Sequence, residues 1–140
     1  MEDVARQAGA IPYRKVRGRG IEVLFVSTSS GRWSTPKGFI DPGRSAEETA
    51  SIEALEEAGV IGTVGVEVGT FEYERNGRMH SVRVFTLRVE RVLDRWQEEA
   101  ERERRWVSVQ EAVEQAFHPD LGALIGRAAE ELSKRRARRV

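Results

Sequence analysis

Between Gly38 and Val60 the chain announces a short helix and loads one side of it with acid. Ser45 suits the N-cap, and Glu48 three residues later completes a capping box. Glu47 and Glu48 suit the positive end of the helix dipole, and Gly59 can take the left-handed conformation that ends the helix. The spacing predicts a helix from about Ala46 to Ala58, with Ala46, Ala50, Ala54 and Ala58 favouring it. At about 100° per residue, Glu56 lies at about −60° and Glu57 at about +40° from Glu53. The three therefore share a wedge of roughly 100°. Ile52 and Leu55 fall off that wedge and are expected to pack on a sheet.

Like charges at these spacings repel. A hard divalent cation facing the cluster would offset the repulsion, and magnesium takes oxygen ligands while bridging to phosphates. The same carboxylates can orient or deprotonate a water. An acidic run on a helix is more often only a solvated face. That reading suffices for Glu47 and Glu48. It leaves unexplained why Pro36-Lys37-Gly38 and Pro42-Gly43 stand in a loop directly before Glu53, Glu56 and Glu57.

This segment resembles the signature of the Nudix hydrolases: Gly, five residues, Glu, seven residues, Arg-Glu, an apolar residue, any residue, Glu-Glu, any residue, Gly, an apolar residue. Gly38, Glu53, Glu56, Glu57, Gly59 and Val60 match in register, with Ala54 a small stand-in at the first apolar position. Two positions depart: Arg44 stands for the first Glu, and Ile52 for the Arg. Arg44 either faces the phosphates or points to solvent, and the solvent reading is preferred. The resemblance implies that Gly38, through its carbonyl, and Glu53, Glu56 and Glu57 hold magnesium, which manganese can replace. It makes the same three glutamates the catalytic carboxylates, with Glu53 or Glu56 as base.

From about Gln7 to Leu124 the chain is similar to the diphosphoinositol polyphosphate phosphohydrolases and their bacterial relatives. The carrying segments are Arg32-Trp33 leading into Pro36-Lys37-Gly38, then Glu56 to Gly65, Val68 to Glu72, Leu93 to Trp96 and Arg102 to Trp106. The similarity implies hydrolysis of phosphoanhydrides in diadenosine polyphosphates or diphosphoinositol polyphosphates. ADP-ribose or another nucleoside diphosphate derivative, an RNA 5′ end, and a binding module without catalysis remain alternatives. A phosphorylated small molecule calls for cations, and Lys37, Arg6, Arg78 and Arg102 are the candidates, with Arg75 as an alternative to Arg78 at the hairpin. A family lysine expected near the last helix falls at Asp120, which counts against an inositol substrate. One further acid among Glu98, Glu99, Glu101 and Glu103 is expected to complete the metal site.

The remaining features fit an α/β (α+β) fold, an α/β/α sandwich around a mixed sheet. Ile21 to Val26 reads as a buried strand, Ile61 to Tyr73 as a strand broken by glycines, and Asn76-Gly77 as a hairpin to a return strand over about Met79 to Val92. Gln7 to Tyr13 is small and apolar, and Arg14 to Gly20 reads as a turn. Trp106 to Val109 is a short strand. Gln110 to Phe117 starts a helix that Pro119 interrupts, and Leu121, Leu124, Ile125, Ala128 and Leu132 mark a last amphipathic helix.

The chain's 140 residues suit a single domain over 1–140, ending in a basic tail at about 134–140. Its 23 basic and 23 acidic residues cancel, so no overall field points to nucleic acid or a membrane. No cysteine is present, which excludes disulfides, zinc-thiolate sites and thiol nucleophiles. No apolar run approaches a membrane span or a signal peptide, and the cytoplasm is the expected location. Trp33, Trp96 and Trp106 are expected in the core, and His80 and His118 in structural or exposed positions.

Overall fold

The computed structural model describes residues 3–138, with side chains described through Lys134. The elements run β1 (Ala5–Val16), β2 (Gly20–Ser27), β3 (Trp33–Ser34), β4 (Lys37–Phe39), α1 (Ala46–Ala58), β5 (Val60–Arg75), β6 (Arg78–Val92), β7 (Arg104–Ser108), α2 (Val109–Gln115) and α3 (Pro119–Arg138). Strands order as β3-β2-β1-β6-β5, with β4 also on β1 and β7 also on β2. The β1–β6 pair is parallel and the other pairs are antiparallel, so the sheet is mixed.

Alternation along the strands sends apolar side chains to both faces, and helices cover each. On one face Ala46, Ala50, Ala54 and Ala58 of α1 pack on Ala8, Ala10, Leu24, Val26, Phe85 and Leu87. On the other, Ala112 of α2 and Leu121, Leu124, Ile125 and Ala128 of α3 pack on Ile11, Phe25, Phe71, Val82 and Val84. The expected three-layer arrangement is thus observed. The expected packing of Leu55 on the sheet is not: Leu55 is 39% exposed and Ile52 half-buried. Alanines take that face because their lack of bulk lets the α1 backbone settle close to the sheet, which leaves Leu55 turned outward.

Other boundaries shift for local reasons. β1 continues through Lys15 and Val16, which pair with Ile21 and Gly20, so the turn is confined to 17–19 and Arg6 lies inside the strand rather than before it. The glycines at 62 and 69 do not break β5; the strand stays continuous and takes up register shifts beside them. Asn76 and Gly77 both have positive φ, at 53° and 75°, as a tight two-residue hairpin requires. Pro119 opens α3 instead of interrupting a helix, since the first turn needs no proline N–H. The basic tail continues α3 to Arg138; its side chains beyond Lys134, and residues 139–140, lie outside the described residues.

β1 positions the site. Its second half pairs with β2 through Tyr13 to Val16, while its first half pairs with β4 through Gln7 to Gly9. The two partners diverge at Ala10, whose N–H donates to the Pro36 carbonyl at 3.0 Å. Lys37 and Gly38 enter the sheet at that split.

Candidate active site

α1 carries the start and stop signals of its sequence in working form. Ser45 Oγ accepts from the Glu48 N–H at 3.0 Å, and the Glu48 carboxylate accepts from the Ser45 N–H at 3.0 Å. Gly59 ends the helix at φ 65°. The Gly59 Cα faces Trp96 and Arg104, where a Cβ would come within 2.8 Å of either side chain.

Gly38 pairs with Ala8 and so lies on the α1 face of the sheet. A Cβ at Gly38 would overlap the Glu53 carboxyl, so only glycine lets the strand lie against that side chain. Glu57, one turn further along α1, is 5% exposed and hydrogen-bonds to Glu53. Burial pushes the Glu57 carboxyl up to about 8, and the neighbouring Glu53 adds to the rise, while Arg102 and Lys37 oppose it. Burial also raises Glu53, reinforced by the charges of Glu56 and Glu98. Both carboxyls are therefore held above the usual carboxylate range, each at the expense of its charged form.

The rest of the cluster comes from outside the helix. Arg102 reaches in from the segment before β7. Its Nε donates to Glu98 at 2.7 Å, Nη1 donates to the Ser27 carbonyl at 2.9 Å, and Nη2 stands 3.8 Å from Glu57. The Glu98 N–H donates to the Glu56 carbonyl at 3.0 Å, which docks its segment on the end of α1. Of the four later acids, Glu98 is the one brought to the cluster. Glu99 pairs with Arg95 at 3.1 Å, and Glu101 and Glu103 are exposed.

Lys37 approaches from the opposite side of β4. Burial lowers its pKa, and the charges of Arg102 and Arg75 add to that, while Glu57 and Glu53 oppose it. Its ammonium lies 5.0 Å from the Phe117 ring centre and 5.4 Å from that of Tyr73. A hollow of about 250 Å³ opens there, lined by Lys37, Arg32, Arg75, Tyr73, Phe117 and the hydroxyl-bearing turn 28–30.

Two predicted cations are not brought to the acids. Arg78 pairs with Asp3 at 3.1 Å and lines a neighbouring hollow, and Arg6 is exposed on β1. Arg44 is solvent-facing, 3.7 Å from Asp41. The tryptophans are half-buried, with Phe25 stacked on Trp33, Arg104 over Trp96 and Arg14 over Trp106. His80 is buried against the Arg78 carbonyl, and His118 accepts from the Asp120 N–H. Phe39, Tyr73 and Phe117, whose spacing in the sequence gives no functional signal, line the two hollows as their aromatic side.

Among the described residues, no three histidine, aspartate or glutamate side chains already converge as a finished shell. The chemistry still fits a hard divalent cation. The donors are all oxygen, and a cation would offset both the burial of Glu57 and the charge of Glu53 beside it.

The NUDIX domain family model matches residues 5–127 of the chain. The chain belongs to the Nudix hydrolase superfamily. It is 39% identical over 116 residues to Nudix hydrolase 4 of Arabidopsis thaliana, covering 76% of this chain and 56% of that protein. It is 34% identical over 116 residues to mouse diphosphoinositol polyphosphate phosphohydrolase 3-alpha, covering 80% and 69%. The C. elegans Ap4A hydrolase structure superposes with a TM-score of 0.77 at 27% identity, covering 93% of this chain and 99% of that one. The chain spans a little over half the length of the first curated relatives, 56% and 57%. Nudix enzymes are generally metal-dependent and bind phosphorylated substrates. The fold shared with the Ap4A hydrolase is the mixed sheet with three helices described above. No described helix is long and apolar enough to cross a membrane.

Proposed function

We propose that this Nudix chain hydrolyses phosphoanhydride bonds with magnesium, on diadenosine polyphosphates or diphosphoinositol polyphosphates. The observation that carries the reading is the Glu53–Glu57 pair of α1, with Glu57 buried, the Glu53 carboxyl against Gly38, and Arg102 3.8 Å from Glu57. Similarity to an Ap4A hydrolase and to a diphosphoinositol polyphosphate phosphohydrolase supports both substrate classes.

Glu53, Glu56 and Glu57, with the Gly38 carbonyl, would hold the cation. Bound magnesium supplies charge neutralisation at the phosphates. The chain's own residues do the remaining work. Glu53 or Glu56 takes a proton as water attacks phosphorus; a new P–O bond forms, the anhydride P–O bond breaks, and the leaving phosphate keeps the electron pair. Lys37 and Arg75 line the hollow where that charge develops and offset it. Arg102 keeps Glu57 and Glu98 in place.

A panel of diadenosine polyphosphates, diphosphoinositol polyphosphates, ADP-ribose and capped RNA, assayed with and without magnesium, tests the reading. Magnesium-dependent turnover of either of the first two supports it. Tight binding of the panel with no turnover of any member would make the chain a binding module instead. A cytoplasmic location is part of the same proposal and is checked by cell fractionation.

A further inference from the structure

We propose that the end of the molecule away from the cleft, where the β1–β2 turn meets the C-terminal half of α3, binds the phosphodiester backbone of a nucleic acid. This surface is separate from the phosphoanhydride site and does not depend on it.

The zero net charge of the chain hides an uneven distribution. Residues 14–19 carry Arg14, Lys15, Arg17 and Arg19, and residues 134–139 carry Lys134, Arg135, Arg136, Arg138 and Arg139. These two stretches hold nine of the 23 basic residues and none of the 23 acidic ones, so the other 14 basic residues stand against every acid. The fold brings the two stretches to one place. Lys15 of β1, Gly20 of β2, and Leu132 and Ser133 of α3 line one hollow of about 160 Å³. Lys134 directly follows Ser133, and α3 continues through Arg138, so the second basic run starts at the rim of that hollow.

Little of this charge is neutralised within the chain. Glu22 pairs with Arg14 at 2.7 Å, and Glu131 stands 4.0 Å from Lys134. Lys15, Arg17 and Arg19 are exposed and have no acidic partner among the described residues. The turn holds them at its tip: the Arg19 N–H donates to the Val16 carbonyl at 3.0 Å, and Gly18 and Gly20 take φ of 81° and 80°. Like charges gathered in this way raise the local potential and draw a polyanion.

The surroundings select the kind of polyanion. Seven of the nine cations are arginines, whose planar fork matches phosphate oxygens. The neighbouring ring, Trp106, is covered by the Arg14 guanidinium at 4.0 Å, so no free platform stacks a base. Contacts therefore fall on the backbone and carry no sequence preference. The exposed large apolar residues, Phe39, Leu55, Ile61, Val92 and Val113, lie on other elements. The surface thus lacks the apolar anchor that a membrane favours and the apolar core that a protein interface favours. It is also remote from the cleft. Gly9 pairs with Lys37, and Lys15 lies six residues further along β1, about 20 Å at about 3.3 Å per residue.

Fluorescence anisotropy of a labelled duplex of about 20 base pairs, measured with chelator so that nothing is turned over, tests the surface. The expected result is binding that weakens roughly 100-fold between about 50 and about 200 mM salt, as about four phosphate contacts require. Two sets of substitutions approach the surface from its two sides: Arg17→Gln with Arg19→Gln, and Lys134→Gln with Arg135→Gln and Arg136→Gln. Each set should weaken binding about tenfold and flatten the salt dependence, with the thermal midpoint unchanged. Arg88→Gln with Arg91→Gln, exposed on β6, should change neither. Absence of binding at about 50 mM salt would overturn the proposal, and so would an equal loss in the β6 variant. Equal affinity for poly-glutamate of the same charge would overturn the preference for phosphate. Binding to phosphatidylserine vesicles but not to the duplex would replace the nucleic acid with a membrane.

Discussion

Gly38 and Glu53 touch across the cleft wall, strand backbone against helix carboxyl, with no room for a methyl group between them. Neither side can yield easily. Gly38 is fixed in register with Ala8, and α1 is fixed by its buried alanine face. Gly38→Ala is therefore expected to displace the Glu53 carboxyl by about the width of a methyl group. A misplacement of about 1 Å can cost on the order of 100-fold in rate. The expected result is a kcat lower by about that factor with the thermal midpoint little changed. Wild-type kcat in a folded Gly38→Ala chain would remove Glu53 from the reaction.

The Glu53–Glu57 pair makes a pH prediction whose sign can be worked out. The folded pKa of Glu57 is raised to about 8, against about 4.3 for an ordinary glutamate in the unfolded chain. Between those values the folded chain binds more protons than the unfolded one. Its stability should be full below the unfolded pKa and fall as pH rises through about 8. Without divalent metal, the melting temperature is expected to drop from pH 5 to pH 9, and added magnesium should reverse the drop. Glu57→Gln should flatten the metal-free profile and lose at least about 100-fold in magnesium-dependent turnover. Thermal melts across pH with chelator and with magnesium check the first part, and steady-state kinetics the second.

Arg104 ties the end of α1 to the segment that delivers Glu98. Its Nη1 donates to the Ala58 carbonyl at 2.9 Å, its Nη2 donates to the Leu93 carbonyl at 2.6 Å, and its guanidinium lies 3.9 Å above Trp96. No basic residue of α1 itself occupies the last turn, so Arg104 supplies the positive charge that a helix C-terminus favours. Arg104→Ala is expected to destabilise the fold by about 2 kcal/mol, from the lost charge-assisted hydrogen bonds. Arg104→Lys should recover part of that but not the two-carbonyl grip. Denaturant unfolding of the two variants checks the order.

The acidic helix was legible because its signals are local. Ser45, Glu48 and Gly59 specify its ends within one stretch of chain, and the capping box formed as written. Its packing was not legible. Periodicity marks Leu55 and Ile52 as apolar, but the close approach of helix and sheet selects the alanines. Gly38, Glu53 and Glu57 could be grouped because they belong to one motif, and Lys37 because it directly precedes that motif. Which later acid joins them depends on β7 returning to pair with β2, a long-range event that fixes where Glu98 and Arg102 land. Phe39 carries no spacing signal at all. Its exposure beside a hollow follows only from the long-range meeting of β1, β4 and the β5–β6 hairpin.

That return of β7 gives Arg102 a role that the sequence had assigned to phosphate binding alone. The motif position that usually holds an arginine is Ile52 here, and Arg102 brings a guanidinium to the cluster from the far side, 3.8 Å from Glu57 and hydrogen-bonded to Glu98. Its charge lowers the Glu57 pKa against the rise caused by burial. Removing that charge should raise the Glu57 pKa further, so the acid form persists to higher pH. Arg102→Met is therefore expected to shift the acidic limb of the kcat/KM profile upward and to lower turnover. Arg102→Lys should shift the limb less, since it keeps the charge, but lower turnover as well, because an ammonium cannot reach Glu98 and the Ser27 carbonyl in the same fork. If Arg102 serves only to grip substrate phosphate, both variants should raise KM and leave the acidic limb in place. The pH profiles of the two variants beside the wild-type chain separate the two roles.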